Sequence, residues 1–151
     1  MGEHFRTLSS TIPIILQKKD GNVQILLHRR KNTGYKDGEW DMAGSGHVDE
    51  NETAKMTAVR ECAEELGIDV KIEDLSFAHL AHRINTGEKT YYDIYFVVNK
   101  YGGIPKIMKP NKCSELKWFK ITDLPNDIMY IRKVVIDNYI DNIQYSEIIE
   151  I

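Results

Sequence analysis

Cysteine is scarce in this chain, since its 151 residues include only Cys62 and Cys113. A disulfide framework needs several paired cysteines, so two isolated ones favour free thiols in a reducing compartment. Long apolar runs are also lacking, because none approaches the ~18 residues that a membrane-spanning helix requires. The first residues show no apolar signal core. We therefore expect a cytoplasmic location and no membrane partner.

An excess of positive charge is lacking as well, because the formal net charge is −3 at pH 7. This balance gives no electrostatic footprint for a polyanion, so polymeric nucleic acid is not an expected partner. Repeats, low-complexity segments and interdomain linkers are not apparent, and the chain is long enough to bury its own core. We predict a single domain over residues 1–151.

The most informative segment runs from Gly46 to Ile68 and contains charged residues at fixed intervals. Its fixed positions are Gly46, Glu52, Arg60, Glu61, Glu64, Glu65 and Gly67. At about 100° per residue, the apolar residues gather on one face of a helix from about Thr53 to Leu66, and three glutamates gather on the other. Like charges three or four residues apart repel by roughly a few tenths of a kcal/mol. The glutamates therefore favour a compensating hard cation such as Mg²⁺ or Mn²⁺.

An acidic helix face is more commonly only a solvated surface, but that interpretation does not explain the spacing of the whole segment. The spacing resembles the signature of the Nudix hydrolases, of the MutT-like kind, at every fixed position. The single soft departure is Cys62, where that family usually has an aliphatic residue. The resemblance implies hydrolysis of a phosphoanhydride bond in a nucleoside diphosphate linked to another group.

The resemblance also implies a site. Its metal ligands would be Glu61, Glu64, Glu65 and the backbone carbonyl of Ser45, with Mg²⁺ as cofactor and Mn²⁺ as a substitute. Arg60 and Glu52 would orient the acidic residues. Some relatives use a glutamate of the motif as general base and others use a distant acid, for which Glu115 is the best candidate here. The choice of base stays open, and a plain surface role for Glu115 is an equal alternative.

A small-molecule nucleotide is the expected partner, and aromatic and basic residues around the motif are its candidate contacts. They are Arg29, Tyr35, Trp40, His47 and His82, with Arg83, Tyr91 and Tyr92 as further candidates. Arg29 ranks first for phosphate contact, and aromatic residues in strands more often belong to the core. The pattern weakly favours (deoxy)nucleoside triphosphates. ADP-ribose, dinucleoside polyphosphates and nucleotide sugars remain open.

Two other functions remain as alternatives, an enzyme like isopentenyl diphosphate isomerase and a non-catalytic nucleotide-binding module. The complete acidic motif favours the hydrolase over both. Homodimers are common in the family, so a homodimer is a further possibility that the sequence leaves open.

The rest of the chain predicts an α/β protein. Strands are expected at 8–16, 23–28, 75–84, 91–98 and 115–120, a short edge at 70–72, and a second helix at about 128–140. One central and one terminal helix among these strands favour an α/β/α sandwich on a mixed sheet, which is the Nudix fold.

Overall fold

The computed structural model describes residues 2–87 and 89–150. In chain order the elements are β1 (Leu8–Lys19), β2 (Asn22–Arg30), β3 (Trp40–Met42), β4 (Gly46–His47), α1 (Ala54–Leu66), a 3₁₀-helix (Ile72–Asp74), β5 (Ser76–Asn85), β6 (Thr90–Val98), β7 (Cys113–Lys120), α2 (Tyr130–Ile140) and β8 (Tyr145–Glu150). Within these residues, no helix combines the length and apolar character needed to cross a membrane.

The strands form one mixed sheet in the order β3-β2-β1-β6-β5-β8, with β4 paired to β1 and β7 paired to β2. β1 runs parallel to β6, and β5 runs parallel to β8, whereas the other pairs are antiparallel. Because β4 pairs with β1, and β1 also pairs with β2 and β6, Gly46 is fixed near the middle of the sheet.

The two helices cover separate hydrophobic clusters, as the sandwich prediction requires. Side chains alternate along a strand, so Ile14 of β1 packs with α2 and Ile15 packs with α1. On the α1 side, Ala58 and Cys62 are fully buried. Burying a large apolar side chain contributes roughly 1.5–3 kcal/mol, so α1 is held firmly by its apolar face while its glutamates lie on the opposite flank.

Local signals place both ends of α1. Thr53 caps the first turn, because its hydroxyl oxygen accepts from the backbone N–H of Met56 at 3.2 Å. Gly67 ends the helix in the left-handed region with a φ of 66°. The backbone of Lys106 then donates to the carbonyl of Leu66 at 3.0 Å, so the segment after β6 covers the end of the helix.

Some sequence predictions differ from the structure. The short edge predicted at 70–72 is instead a 3₁₀-helix at Ile72–Asp74, and α2 begins at Tyr130 rather than near residue 128. β4 and β8 form only by pairing with strands that are distant in the sequence, and no local sequence pattern predicts them. Between the strands expected at 75–84 and 91–98, the sequence of residues 85–88 also predicts a turn, and Glu88 lies outside the described residues.

Candidate active site

In the acidic motif, the segment before α1 packs against α1 itself. Gly46 leaves no room for a side chain, since a Cβ at that position would overlap the carboxylate of Glu61. Glu61 is only 8% exposed although it is charged. The absence of a Cβ at Gly46 allows this close approach, and a larger residue there would displace the end of the Glu61 side chain.

Arg60 joins the surrounding acids. Its Nε and Nη2 donate to the two carboxylate oxygens of Glu52 at 2.8 and 2.9 Å, which is a bidentate pair. Its Nη1 donates to Glu61 at 2.9 Å and to Glu64 at 3.3 Å. Its Nη2 also lies 3.1 Å from Asp49, a partner that the motif analysis did not include. One guanidinium thus orients four carboxylates.

The fifth carboxylate, that of Glu65, has a different partner. Lys109, in the segment that covers the end of α1, donates to Glu65 Oε1 at 2.9 Å. We call Asp49, Glu52, Glu61, Glu64 and Glu65 the acidic cluster. In the ion pairs that the structure describes, these five carboxylates share only Arg60 and Lys109. The acidic cluster therefore carries excess negative charge.

The pKa values of Glu61 and Glu52 reflect the charges around each carboxylate. Burial raises the pKa of Glu61, and the charges of Glu65 and Glu64 add to the effect, although Arg60 opposes it. Hydrogen bonds from Arg60 instead lower the pKa of Glu52 to about 2. An added cation would favour the ionised form of Glu61.

The donor set of the acidic cluster fits a hard divalent cation, because it offers carboxylate oxygens and neither thiolate nor imidazole. Within the described residues, no three His, Cys, Asp or Glu side chains are already drawn together as a metal-binding group. Glu64 and Glu65 are held by Arg60 and Lys109 instead. A metal would thus require these side chains to exchange one cationic partner for another.

Beside the turn of Gly46 lies a cavity of about 680 Å³. Its lining residues are Ser10, Arg30, Thr33, Tyr35, Ser45, Gly46, His47, Arg83, Asn85, Lys89, Tyr91 and Arg132. The rings of His47 and Tyr91 are stacked with centroids 5.7 Å apart. The volume is in the range of small-molecule sites, and Ser45 and Gly46 connect the cavity to the acidic cluster.

Arginines of buried ion pairs line part of this cavity. Asp41 accepts from Arg132 at 2.7 Å and from Arg30 at 2.8 Å. Asp93 accepts from Arg83 at 2.9 Å, and Arg132 Nη1 lies 3.6 Å from the same carboxylate. We call Asp41, Asp93, Arg83 and Arg132 the cavity floor. Burial alone would raise the pKa of Asp41, but the charge of Arg132 leads the effects that hold it well below its ordinary value.

The candidate substrate contacts separate into two groups. Tyr35 and His47 line the cavity, as do Arg83 and Tyr91. Trp40 does not line the cavity, since the residue is only 3% exposed and its ring packs edge-on against Phe119 at 4.9 Å. His82 stacks on Tyr92 at 4.3 Å and does not line the cavity.

Arg29 and Glu115 also lie apart from the cavity lining. They face each other across β2 and β7, and their side chains pair at 3.1 Å. Arg29 further donates to Asp127 at 3.2 Å and covers the Trp40 ring. The high rank given to Arg29 for phosphate contact is therefore not supported, and Glu115 is engaged in a cross-strand ion pair that fits its surface alternative.

Sequence reasoning missed Asp41 and Arg132. The signal for Asp41 was a carboxylate between two apolar residues, Trp40 and Met42. The signal for Arg132 was an arginine beside the apolar positions of the second helix. Asp41 and its partner Arg132 come from distant parts of the chain, so no spacing rule could connect them.

Comparison with known proteins agrees with this architecture. The NUDIX domain family matches residues 7–139. A curated protein of Mycobacterium tuberculosis named "Putative 8-oxo-dGTP diphosphatase 3" is 27% identical over 111 residues, which is 72% of this chain and 51% of that protein. The chain thus spans about half the length of the curated relatives it matches.

Solved structures share the fold at lower identity. A MutT NUDIX hydrolase from Burkholderia pseudomallei superposes with a TM-score of 0.76 and 23% identity, covering 88% of this chain and 98% of that one. The NUDIX domain of Shewanella oneidensis NrtR, complexed with ADP ribose, gives a TM-score of 0.72 and 16% identity, with coverages of 91% and 89%. At these identities the likeness shows the fold.

The chain belongs to the NUDIX domain family. Its mixed sheet between two helices is the Nudix fold, and its motif lies on the strand-turn-helix from β4 to α1. Nudix hydrolases generally use divalent metal ions.

Proposed function

We propose that this protein is a Mg²⁺-dependent pyrophosphohydrolase of (deoxy)nucleoside triphosphates. The observation that carries the proposal is the excess negative charge of the acidic cluster directly beside a cavity of nucleotide size. Phosphates bear the same sign as the cluster, so they need a bridging cation to bind there. A nucleoside in the cavity and its phosphates at the cluster account for both features.

In this proposal Glu61, Glu64 and Glu65 hold the metal, together with the backbone carbonyl of Ser45. Bound there, Mg²⁺ would supply charge neutralisation for the phosphates and a Lewis acid for the attacking water, and Mn²⁺ would be a substitute. Glu52 and Arg60 are positioning residues, because their bidentate pair fixes the guanidinium that aligns Glu61 and Glu64. Either Glu61 or Glu64 serves as the general base, and Glu115 is the weaker candidate.

The cavity residues bind and orient the nucleoside. Tyr35 and Tyr91 provide aromatic surface for a base, and His47 lies between that surface and Gly46. Correct placement fixes the angle at which water approaches phosphorus, and positioning of this kind contributes a large part of phosphoryl-transfer catalysis.

The similarity to a curated protein named as an 8-oxo-dGTP diphosphatase favours triphosphates over other nucleotide derivatives. ADP-ribose, dinucleoside polyphosphates and nucleotide sugars are alternative substrates of the same chemistry. An isomerase acting on isopentenyl diphosphate and a non-catalytic module are less favoured, because the acidic cluster is complete. The proposal further includes action in the cytoplasm, and a homodimer is compatible with it.

Product analysis tests the proposal. The purified chain is incubated with Mg²⁺ and, separately, nucleoside triphosphates, ADP-ribose, diadenosine polyphosphates, nucleotide sugars and isopentenyl diphosphate, and the products are separated by chromatography. We expect a nucleoside monophosphate and pyrophosphate from triphosphates. Glu65→Gln should abolish this release. The matched control is Glu73→Gln, in the 3₁₀-helix, which should release the same products as wild type.

Other outcomes overturn the proposal in distinct ways. Metal-dependent cleavage of ADP-ribose or a dinucleoside polyphosphate alone would replace the substrate class. An isomerised diphosphate without released phosphate products would favour the isomerase. Nucleotide binding without turnover in any mixture would favour the binding module.

A further inference from the structure

Backbone hydrogen bonds fix the segment that carries Lys109 to the end of α1. The N–H of Lys106 donates to the carbonyl of Leu66 at 3.0 Å. The N–H of Met108 donates to the carbonyl of Glu65 at 3.3 Å. Both carbonyls belong to the last turn of the helix, where carbonyl groups have no partner within the helix. Lys109 follows directly, so the fold itself delivers its ammonium group to Glu65 Oε1, at 2.9 Å.

The two cations of the acidic cluster differ in the hydrogen-bond donors that they leave unused. A guanidinium has five N–H donors, and an ammonium group has three. The acceptors of Arg60 all lie within 3.3 Å and are Glu52, which accepts twice, Glu61, Glu64 and the backbone carbonyl of His47. Among the described residues, Lys109 has Glu65 as its one hydrogen-bond acceptor. Lys109 can therefore donate to a bound anion, whereas Arg60 is fully engaged.

The pair between Lys109 and Glu65 contributes little to the stability of the fold. The two side chains are 46% and 24% exposed, and ion pairs at exposed positions add little to the free energy of unfolding. A lysine ammonium is a compact charge on a flexible stem, and it commonly binds phosphate. Lys109 is thus able to change its acceptor from a carboxylate oxygen to a phosphate oxygen.

Helix geometry places Lys109 at the end of the acidic cluster that is far from the cavity. The cavity reaches the cluster at Gly46, which packs against the carboxylate of Glu61. Glu65 lies four residues further along α1, which is about 6 Å along the helix axis. Lys109 contacts Glu65 from beyond the end of the helix. A phosphate chain that leaves the cavity along this flank therefore meets Glu61 first and Lys109 last.

We propose that Lys109 binds the terminal phosphate of the substrate, and that this contact selects nucleoside triphosphates over diphosphates. The inference rests on the proposed function, which places the nucleoside in the cavity and its phosphates at the acidic cluster. The ammonium exchanges Glu65 for the terminal phosphate, so it keeps a charged acceptor throughout. A diphosphate is shorter by one phosphate and leaves the lysine on Glu65.

Equilibrium binding of two analogues tests the inference without requiring turnover. The α,β-methylene triphosphate and α,β-methylene diphosphate of deoxyguanosine differ by the terminal phosphate, and the methylene group blocks cleavage between the α- and β-phosphates. In calorimetry with Mg²⁺, wild type should bind the triphosphate analogue at least about tenfold more tightly, the scale of a hydrogen bond to a charged group. Lys109→Met should lose about tenfold in affinity for the triphosphate analogue and at most about twofold for the diphosphate analogue.

Two further variants isolate the contact. Lys109→Arg keeps a cation at the end of the acidic cluster, so most of the preference should be retained. Lys106→Met is the matched control, since Lys106 is exposed in the same segment and lies beside Gly67. It should bind both analogues as wild type does. Mn²⁺ binding to the nucleotide-free chain is a second measurement, and it should not weaken in Lys109→Met.

The outcomes separate this inference from the proposed function. Wild type that binds both analogues equally, or binds neither, would overturn the inference. So would an equal loss for the two analogues in Lys109→Met, or the same loss in Lys106→Met, because the effect would then belong to the metal site or to the charge of the whole segment. A preference that depends on Lys109 in a chain that hydrolyses no triphosphate would overturn the proposed function alone.

Discussion

The acidic cluster and the cavity floor contain the same kinds of charged side chain in opposite balance. In the floor, Asp41 and Asp93 alternate with arginines and are almost fully buried. In the acidic cluster, five carboxylates share two cations at a partly exposed helix flank. Paired buried charges hold a fixed geometry, whereas unbalanced charge at a surface favours an added cation. We therefore expect the cavity floor to fix the shape of the cavity, and we propose that the acidic cluster binds the metal.

The largest effect should come from breaking the floor. Asp41→Asn removes the carboxylate that joins Arg132 to Arg30 and leaves buried guanidinium charge uncompensated. Breaking a buried pair costs about 3–5 kcal/mol, so the free energy of unfolding in urea should fall by that amount. Asp127→Asn is the control, because its pair with Arg29 is exposed and such pairs contribute about 1 kcal/mol or less. Equal losses of unfolding free energy in Asp41→Asn and Asp127→Asn would mean that the buried pairs of the cavity floor stabilise the fold no more than an exposed pair.

A variant of the acidic cluster should lose turnover and keep its stability. Glu64→Gln removes charge from an exposed flank, so stability should change little while turnover with Mg²⁺ falls more than ~100-fold, beyond the loss typical of outer-shell partners. Steady-state kinetics and a thermal melt of the same sample measure both quantities. Wild-type turnover at limiting Mg²⁺ in Glu64→Gln and Glu65→Gln would refute the site assignment.

How much of this contrast the sequence predicted depends on the range of the interactions. The acidic cluster could be predicted almost completely, because Glu52, Arg60 and the glutamates of α1 lie within one helix and its cap, where spacing fixes the geometry. Asp49 was missed, although it lies in the same segment. The floor could not be predicted, because Asp41 and Arg132 come from β3 and α2, which meet only after the sheet forms. The burial of Trp40 and the cross-strand pairing of Arg29 could not be predicted for the same reason, since register decides which face of a strand is buried.

The pH dependence of stability should report on the floor. Burial would lower the pKa of His28, but Asp41 and Cys113 outweigh it and raise this pKa from 6.5 to about 9. A raised folded-state pKa contributes stability that is present below pH 6.5 and lost as pH rises through 9. Stability should therefore fall in this window, by at most about 1.4 kcal/mol per pH unit. Denaturant unfolding of wild type and His28→Gln across this pH range measures the fall in stability. Identical slopes of unfolding free energy against pH in the two proteins would contradict a role for His28.

The smallest effect concerns Lys109. Its ammonium group pairs with Glu65 at 2.9 Å at a partly exposed position, so it competes with a metal for the same carboxylate. Lys109→Met should tighten Mn²⁺ binding about twofold to threefold, the scale of an exposed ion pair. Lys106→Met, in the same segment, is the control. Weaker binding in Lys109→Met would mean that the lysine supports the site instead of competing for it.

Mn²⁺ binding to the nucleotide-free chain tests whether the acidic cluster, with its excess negative charge, holds a metal. Electron spin resonance of free Mn²⁺ gives the affinity and the number of sites. We expect saturable binding in wild type that is lost in Glu64→Gln and retained in Glu73→Gln. Binding of equal strength in wild type and Glu64→Gln would mean that the acidic cluster is not the metal site.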